Sequence, residues 1–141
     1  MHLATDTAVV VFVAGLFFLA ALSLGVWKYR QMATAPNGLA HPYVDIAHRA
    51  ALMYSFAVLL LGVFVQFSAW PMSVDLTAAG VVVAFFAAAV VSYTVHGMRR
   101  DTDNQFVNPA PGTTAFMAAL IVGEIGGFLV LLAGFARAEF V

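Results

Sequence analysis

Four long apolar runs divide the chain and limit what it can fold into. Each is close to or above the roughly 20 residues that a helix needs to cross a hydrocarbon core of about 30 Å. Of the 141 residues, 63% are hydrophobic and 9% are charged, which is far from the balance of a soluble protein. We therefore predict an all-α integral membrane protein, a bundle of four transmembrane helices. The runs are Ala8–Trp27, Ala50–Trp70, Leu76–Met98 and Thr113–Ala136.

Helix-breaking residues mark three connections between these runs. Pro36 and Pro42 interrupt the first connection, Pro71 the second, and the sequence Asn-Pro-Ala-Pro-Gly at 108–112 the third. The first run has no basic residue before it, so we expect a retained helix and not a signal peptide. The predicted helices of this single membrane domain, residues 1–141, cover about 8–27, 47–70, 75–98 and 113–136.

Lysine and arginine are unevenly distributed among the connections. Lys28, Arg30 and Arg49 flank the first connection, and Arg99 and Arg100 open the third, whereas the second has none. By the positive-inside rule, both longer connections lie on the cytoplasmic side and both termini outside. We expect a multi-pass protein in a bacterial cytoplasmic membrane, with the lipid bilayer as its first partner.

Overall charge and cysteine content exclude several classes of function. The formal net charge is -1, so no basic field indicates a nucleic acid as a partner. The chain has no cysteine, which removes disulfides, iron-sulfur clusters and thiolate-ligated haem. A metal or a haem would have to be held by histidine, carboxylate, tyrosine or methionine.

His48 is the first candidate site residue, because it opens the second apolar run. Ionisable side chains at membrane depth are costly and usually face a bundle interior, a cavity or a ligand. Asp45 stands three positions earlier and could accept the proton of the second ring nitrogen, as partners of ligating histidines do. The alternative is an interfacial histidine hydrogen-bonded to a carbonyl. His96, near the end of the third run, should lie at a depth similar to that of His48, and the two rings could approach each other. Because His96 stands beside Arg99, however, a solvated position suits it better.

Two tyrosines and one glutamate are further candidates. Tyr93 precedes His96 by three positions, so both should project from one helix face. Tyr54 and Tyr93, taken as isolated residues, would more often be packed aromatics. Glu124 falls near the middle of the fourth helix, in a Gly123-xxx-Gly127 spacing that lets another helix approach closely. We expect Glu124 to form an interhelical hydrogen bond at that contact, in preference to relaying protons.

The order of these features resembles the membrane family of styrene oxide isomerase and the hydroxylaminobenzene mutases. The likeness consists of four helices, the Ala47-His48 pair opening the second, Tyr93 late in the third, and Asn104-Gln105-Phe106 before the fourth. The resemblance implies haem b bound between subunits of a small oligomer, a homotrimer. It assigns His48 as the axial ligand of the iron, Tyr93 as an active-site tyrosine and Asn104 as a catalytic candidate.

The same resemblance implies a reaction. Ferric haem would act as a Lewis acid on the oxygen of an epoxide, and the ring would rearrange to a carbonyl compound or undergo a related mutase reaction. The implied substrate is a small apolar or aromatic molecule. An apolar cavity would favour isomerisation over hydrolysis because it excludes water.

Tyr54 departs from the family pattern, which has an asparagine six residues after the histidine. Six helical residues correspond to about 9 Å of rise, so Tyr54 and His48 of one helix cannot both face one haem closely. We expect Tyr54 to address a haem held by the neighbouring subunit, either by hydrogen bonding to an oxygen at the iron or by binding the iron as phenolate.

Two other functions remain open from the sequence. In a small b-type cytochrome, His48 and His96 would ligate one haem from opposite faces and pass electrons to or from a quinone. In a structural or assembly subunit of a larger complex, the chain would bind no haem at all.

Overall fold

The computed structural model describes residues 2–141, and within them the chain forms four α-helices. These are α1 (Thr5–Thr34), α2 (Pro42–Gln66), α3 (Met72–Arg99) and α4 (Thr113–Phe140). Each is long and apolar enough to cross a membrane. The all-α, four-helix prediction is therefore confirmed, and the helices suggest a multi-pass membrane protein.

The observed helices extend beyond most of the predicted bounds, because an apolar run marks only the part of a helix that lipid can surround. α1 continues through Lys28 and Arg30 to Thr34, and it ends before Pro36, whose ring disfavours helical backbone in the residue before it. α4 likewise runs to Phe140, past the predicted end at 136.

α2 begins at Pro42, well before the predicted start near 47. Proline suits the first turn of a helix, where its missing N–H has no partner to lose. His41 serves as the N-cap, and its Nδ1 accepts the N–H of Tyr43 at 3.3 Å. The His41-Pro42 pair thus starts a helix, although from the sequence we expected it to lie in a loop.

α2 also ends earlier than predicted, at Gln66 instead of 70. The next residues turn and dock on α4: Trp70 Nε1 donates to the carbonyl of Val130 at 2.8 Å, and the Ala69 N–H donates to the carbonyl of Gly134 at 3.1 Å. A side chain at Gly134 would overlap the indole of Trp70. The apolar residues after Gln66 continue the helical pattern of the sequence, but contacts with α4 determine their backbone conformation.

α2 occupies the centre of the bundle. It packs against the other three helices, whereas α1 and α4 do not touch within residues 2–141. The core between them includes Val58, Leu61, Val82 and Leu131. α1 and α4 leave most of their apolar side chains exposed, which leaves these faces for lipid or for other subunits.

The contact between α3 and α4 is close at the glycine spacing. A Cβ at Gly127 would lie 2.8 Å from the carbonyl oxygen of Ala78 and 2.7 Å from a methyl group of Val82. The prediction that this spacing lets a helix approach is confirmed, with α3 as the neighbour.

One end of the bundle is where α1 and α3 end and α2 and α4 begin. We call it the histidine end, because it holds His41, His48 and His96.

Candidate functional site

His48 lies on the first turns of α2, at the interface with α1. Its Nδ1 is 2.9 Å from the carbonyl oxygen of Ala21. The ring fits there because residue 25 is glycine, where a Cβ would lie only 3.0 Å from His48 Cε1. Two positions of α1 therefore determine where the imidazole points.

The hydrogen bond of His48 determines its tautomer. A carbonyl oxygen only accepts, so Nδ1 must carry the proton, and Nε2 of the neutral ring keeps its lone pair. Nε2 makes no hydrogen bond to any residue among 2–141, and it is not among their buried unpartnered atoms. A bond to a carbonyl alone would suit a structural histidine, but an accessible Nε2 with no partner is also what a metal-ligating histidine presents.

Asp45 does not have the role predicted from its spacing. Its carboxylate contacts Lys28 Nζ at 2.5 Å and Arg49 Nε at 3.2 Å. The first turn of α2 directs it toward Lys28 on α1 and Arg49 on the next turn of α2, and the carbonyl of Ala21 takes the place beside His48. The prediction that Asp45 orients His48 is therefore wrong within one chain.

A cleft of about 760 Å³ opens between α3, α4 and their connection at the histidine end. Tyr93 and His96 both line it, as their spacing on one helix predicts. Polar and apolar side chains both line it. The residues around it are Ala89, Ser92, Tyr93, His96, Asp101, Thr102, Gln105, Val107, Asn108, Ala110, Pro111, Gly112, Thr113, Phe116, Met117 and Leu120.

His96 forms a pair with a carboxylate that the sequence analysis did not single out. Its Nδ1 lies 2.7 Å from Asp101 Oδ1, just beyond the end of α3. The hydrogen bond from His96 holds the pKa of Asp101 below its ordinary value. The backbone permits this contact because Arg100 ends α3 in the left-handed conformation, with φ 51°.

Tyr43 supports the same cleft from α2. Its ring is 4% exposed and lies 5.1 Å from the ring of His96 and 6.0 Å from that of Tyr93. Its hydroxyl accepts the N–H of Gln105 at 2.7 Å. His41 adds a contact of 3.3 Å to Asp103, so the start of α2 holds the α3–α4 connection in place.

Asn104 stands outside the cleft. Its side chain is exposed, and its Oδ1 accepts the N–H of Phe106 at 3.0 Å, which closes a turn in the connection. Its neighbour Gln105 lines the cleft instead. Within one chain Asn104 thus forms a turn beside the cleft, and its catalytic role stays a prediction of the resemblance.

Tyr54 lies deeper in the bundle, stacked on Phe86 with ring centroids 4.1 Å apart. Tyr54, Tyr93 and Glu124 are near enough to interact electrostatically. Glu124 Oε1 is buried and has no hydrogen-bond partner in the described chain. The predicted interhelical hydrogen bond is therefore absent for that atom.

The two histidines of the proposed cytochrome face different neighbours. The His48 ring packs against Ala21 and Gly25 of α1, whereas His96 contacts Tyr43 and Asp101. Their equal depth does not bring them to one ligand position within a single chain. Likewise, His48 does not line the cleft that holds Tyr93.

The residues of the chain fit haem through one ligand. No group of three or more histidine, aspartate or glutamate side chains in residues 2–141 could hold a bare metal ion. Haem needs fewer protein ligands, because the porphyrin supplies four and an axial histidine a fifth. His48 meets that requirement, because its Nδ1 donates to a carbonyl and its Nε2 has no partner in the described chain.

No protein-family model, curated protein or solved structure matches this chain.

Three residues with evident roles were not identified from the sequence. Tyr43 and Asp101 act through contacts between α2, α3 and the connection, which no local spacing reveals. Gly25 was one of several small residues in an apolar run. Of the three, only Tyr43 could have been found from the sequence. It directly follows a proline that can start a helix, and a tyrosine hydroxyl near the membrane surface needs a hydrogen-bond partner.

Proposed function

We propose that the chain is a membrane haem b protein in which His48 Nε2 binds the iron. The observation that supports this is the fixed tautomer of His48, with Nδ1 donating to the carbonyl of Ala21 and Nε2 without a partner. Nε2 is accessible and keeps its lone pair, so it is free to coordinate a metal.

The proposed location is a bacterial cytoplasmic membrane, with the histidine end on the cytoplasmic side. The support is the distribution of Lys28, Arg30, Arg49, Arg99 and Arg100, which all fall on or beside the two connections at that end. The Lys28–Asp45–Arg49 group then lies at the lipid headgroups.

The proposed activity is isomerisation of an epoxide to a carbonyl compound, or a related mutase reaction. When bound, ferric haem supplies a Lewis acid for the epoxide oxygen. The protein contributes the orientation of His48, and apolar walls that exclude water from a small aromatic substrate. Tyr93 is proposed to position the substrate oxygen by hydrogen bonding.

An oligomer is proposed because one chain does not hold all these residues in one place, and the family resemblance makes it a homotrimer. His48 faces α1, whereas Tyr93 lines the α3–α4 cleft and Tyr54 lies near it. A haem at His48 can meet the tyrosines only if a second copy presents them. The exposed apolar faces of α1 and α4 leave room for such contacts.

The activity is tested by incubating the purified, haem-loaded protein with styrene oxide and measuring phenylacetaldehyde by gas chromatography. We expect product with the wild type and none with His48→Ala. In parallel, cyanide should shift the Soret band of the ferric protein, because an open coordination site accepts it. A Soret band that cyanide leaves unchanged, together with no product, would contradict the isomerase and favour two protein ligands to the iron.

A further inference from the structure

The α3–α4 cleft has the form of a binding site for an amphipathic molecule. Its volume of about 760 Å³ lies in the range of about 300–1,000 Å³ typical of small-molecule pockets. Toward the middle of the helices it is lined by Ala89 and Leu120, and toward the histidine end, where α4 begins, by Tyr93, His96 and Phe116. A ligand there would place an apolar part in the bundle and a polar group at the membrane surface.

His96 lines this cleft, and its ring carries a hydrogen-bond acceptor. Asp101 accepts a hydrogen bond from Nδ1 at 2.7 Å, which directs the lone pair of the neutral ring to Nε2. Neither His96 Nε2 nor the hydroxyl of Tyr93 has a hydrogen-bond partner in the described chain. The carboxylate also makes the imidazole a better acceptor, as it does in catalytic Asp-His pairs.

Contacts within the chain hold the α3–α4 connection that covers the cleft. The buried Tyr43 holds the backbone of Gln105, and the contact between His41 and Asp103 secures the same connection. A ligand would therefore not have to order this segment, which lowers the entropic cost of binding.

We propose that the cleft binds a membrane-soluble phenol whose hydroxyl donates to His96 Nε2 and whose ring and alkyl chain lie against Phe116 and Leu120. A hydroxyl on an aromatic ring is the donor that matches an unpartnered imidazole nitrogen beside an apolar wall. Within one chain the site is separate from His48, which does not line the cleft. The inference goes beyond the proposed function, because it rests on His96 and not on a haem.

The test compares 4-octylphenol with 4-octylanisole, which has the same size but no hydroxyl donor. Each tritiated probe is titrated at pH 7 into the full-length protein in lipid nanodiscs, and binding to empty nanodiscs is subtracted. We expect the wild type to bind the phenol about tenfold more tightly, the effect of roughly one hydrogen bond. Equal binding of the two probes, or no binding above empty nanodiscs, would overturn the proposal.

Variants locate the preference within the chain. His96→Leu should abolish it while leaving the affinity for 4-octylanisole unchanged, which shows that the cleft is still folded. His96→Gln, which keeps an acceptor, should retain part of it, and His2→Leu should retain all of it. Preserved preference in His96→Leu would overturn the assignment.

A haem-free variant separates this proposal from the one about His48. His48→Ala should keep the full preference for 4-octylphenol, whatever its absorption spectrum shows. Loss of the preference in His48→Ala would place the phenol at the haem and refute a site in the cleft.

Discussion

His48 and His96 lie at the same end of the bundle, yet their surroundings differ in kind. His48 donates to a backbone carbonyl of α1, a group that neither titrates nor moves independently of its helix. His96 pairs with the carboxylate of Asp101 on an exposed connection. A ring fixed by a backbone carbonyl suits a permanent metal ligand, whereas a ring paired with an exposed carboxylate suits the binding of a transient ligand. The hydrogen-bond partner of a histidine thus says more about its role than its depth does.

The largest difference between the two histidines should appear in haem retention. If His48 ligates a haem as proposed, His48→Ala should lose nearly all of it, because the variant lacks the ligand, and His96→Ala should keep it. The ratio of Soret absorbance to protein absorbance after purification measures this. Equal loss of haem in both variants would mean that both rings ligate the iron. As a control, the size-exclusion profile of each variant must match that of the wild type, which shows that the protein is folded.

A smaller effect should follow from crowding His48 without removing it. In Gly25→Ala, the new Cβ would lie 3.0 Å from His48 Cε1 and 3.2 Å from Nδ1, so the ring would have to move by a few tenths of an ångström, which disturbs its hydrogen bond to Ala21. We expect several-fold weaker haem retention and a shifted Soret maximum. Gly15→Ala on the same helix is the matched control, since nothing lies within 4 Å of its Cβ; similar behaviour of both variants would show that ring placement does not matter.

The cleft beside His96 depends instead on the α3–α4 contact. Gly127→Ala places a methyl group 2.8 Å from the carbonyl oxygen of Ala78, and overpacking of this kind costs about 1–3 kcal/mol. Gly126→Ala meets nothing within 4 Å and should stabilise α4 by roughly 0.5–1 kcal/mol through helix propensity. Thermal unfolding in detergent distinguishes the two variants. A Gly127→Ala protein as stable as Gly126→Ala would show that the helices are not in close contact there.

The smallest effect concerns acid stability of the His96 pair. Because the pKa of Asp101 is lowered in the folded chain, its contribution is complete above the ordinary aspartate pKa of about 3.9 and is lost as the pH falls through the lowered value. The wild type should be slightly more stable than Asp101→Asn near neutral pH, and the two should converge in acid. High salt should reduce the difference, since Asp101 is exposed. A difference that persists at pH 2 would contradict an ionic origin.

Features of the fold and of the candidate site could be predicted where they depend on residues close together in the sequence. Apolar runs longer than a bilayer crossing predicted four helices, and the spacing of Tyr93 and His96 predicted one shared face. The early end of α2 at Gln66 could not be predicted, because it depends on Trp70 finding the carbonyl of Val130, 60 positions away. The partner of His48 could not be predicted for the same reason. Asp45 stands only three positions from His48, but its carboxylate contacts Lys28 and Arg49. The partner is instead the carbonyl of Ala21, 27 positions away.

The most direct measurement is an absorption spectrum of the full-length protein purified in mild detergent from haem-replete cells. If His48 Nε2 binds iron, the preparation shows a Soret band that co-elutes with the folded protein and is absent from His48→Ala. Correctly folded wild-type protein without such a band, even after incubation with added haemin, would contradict haem ligation by His48.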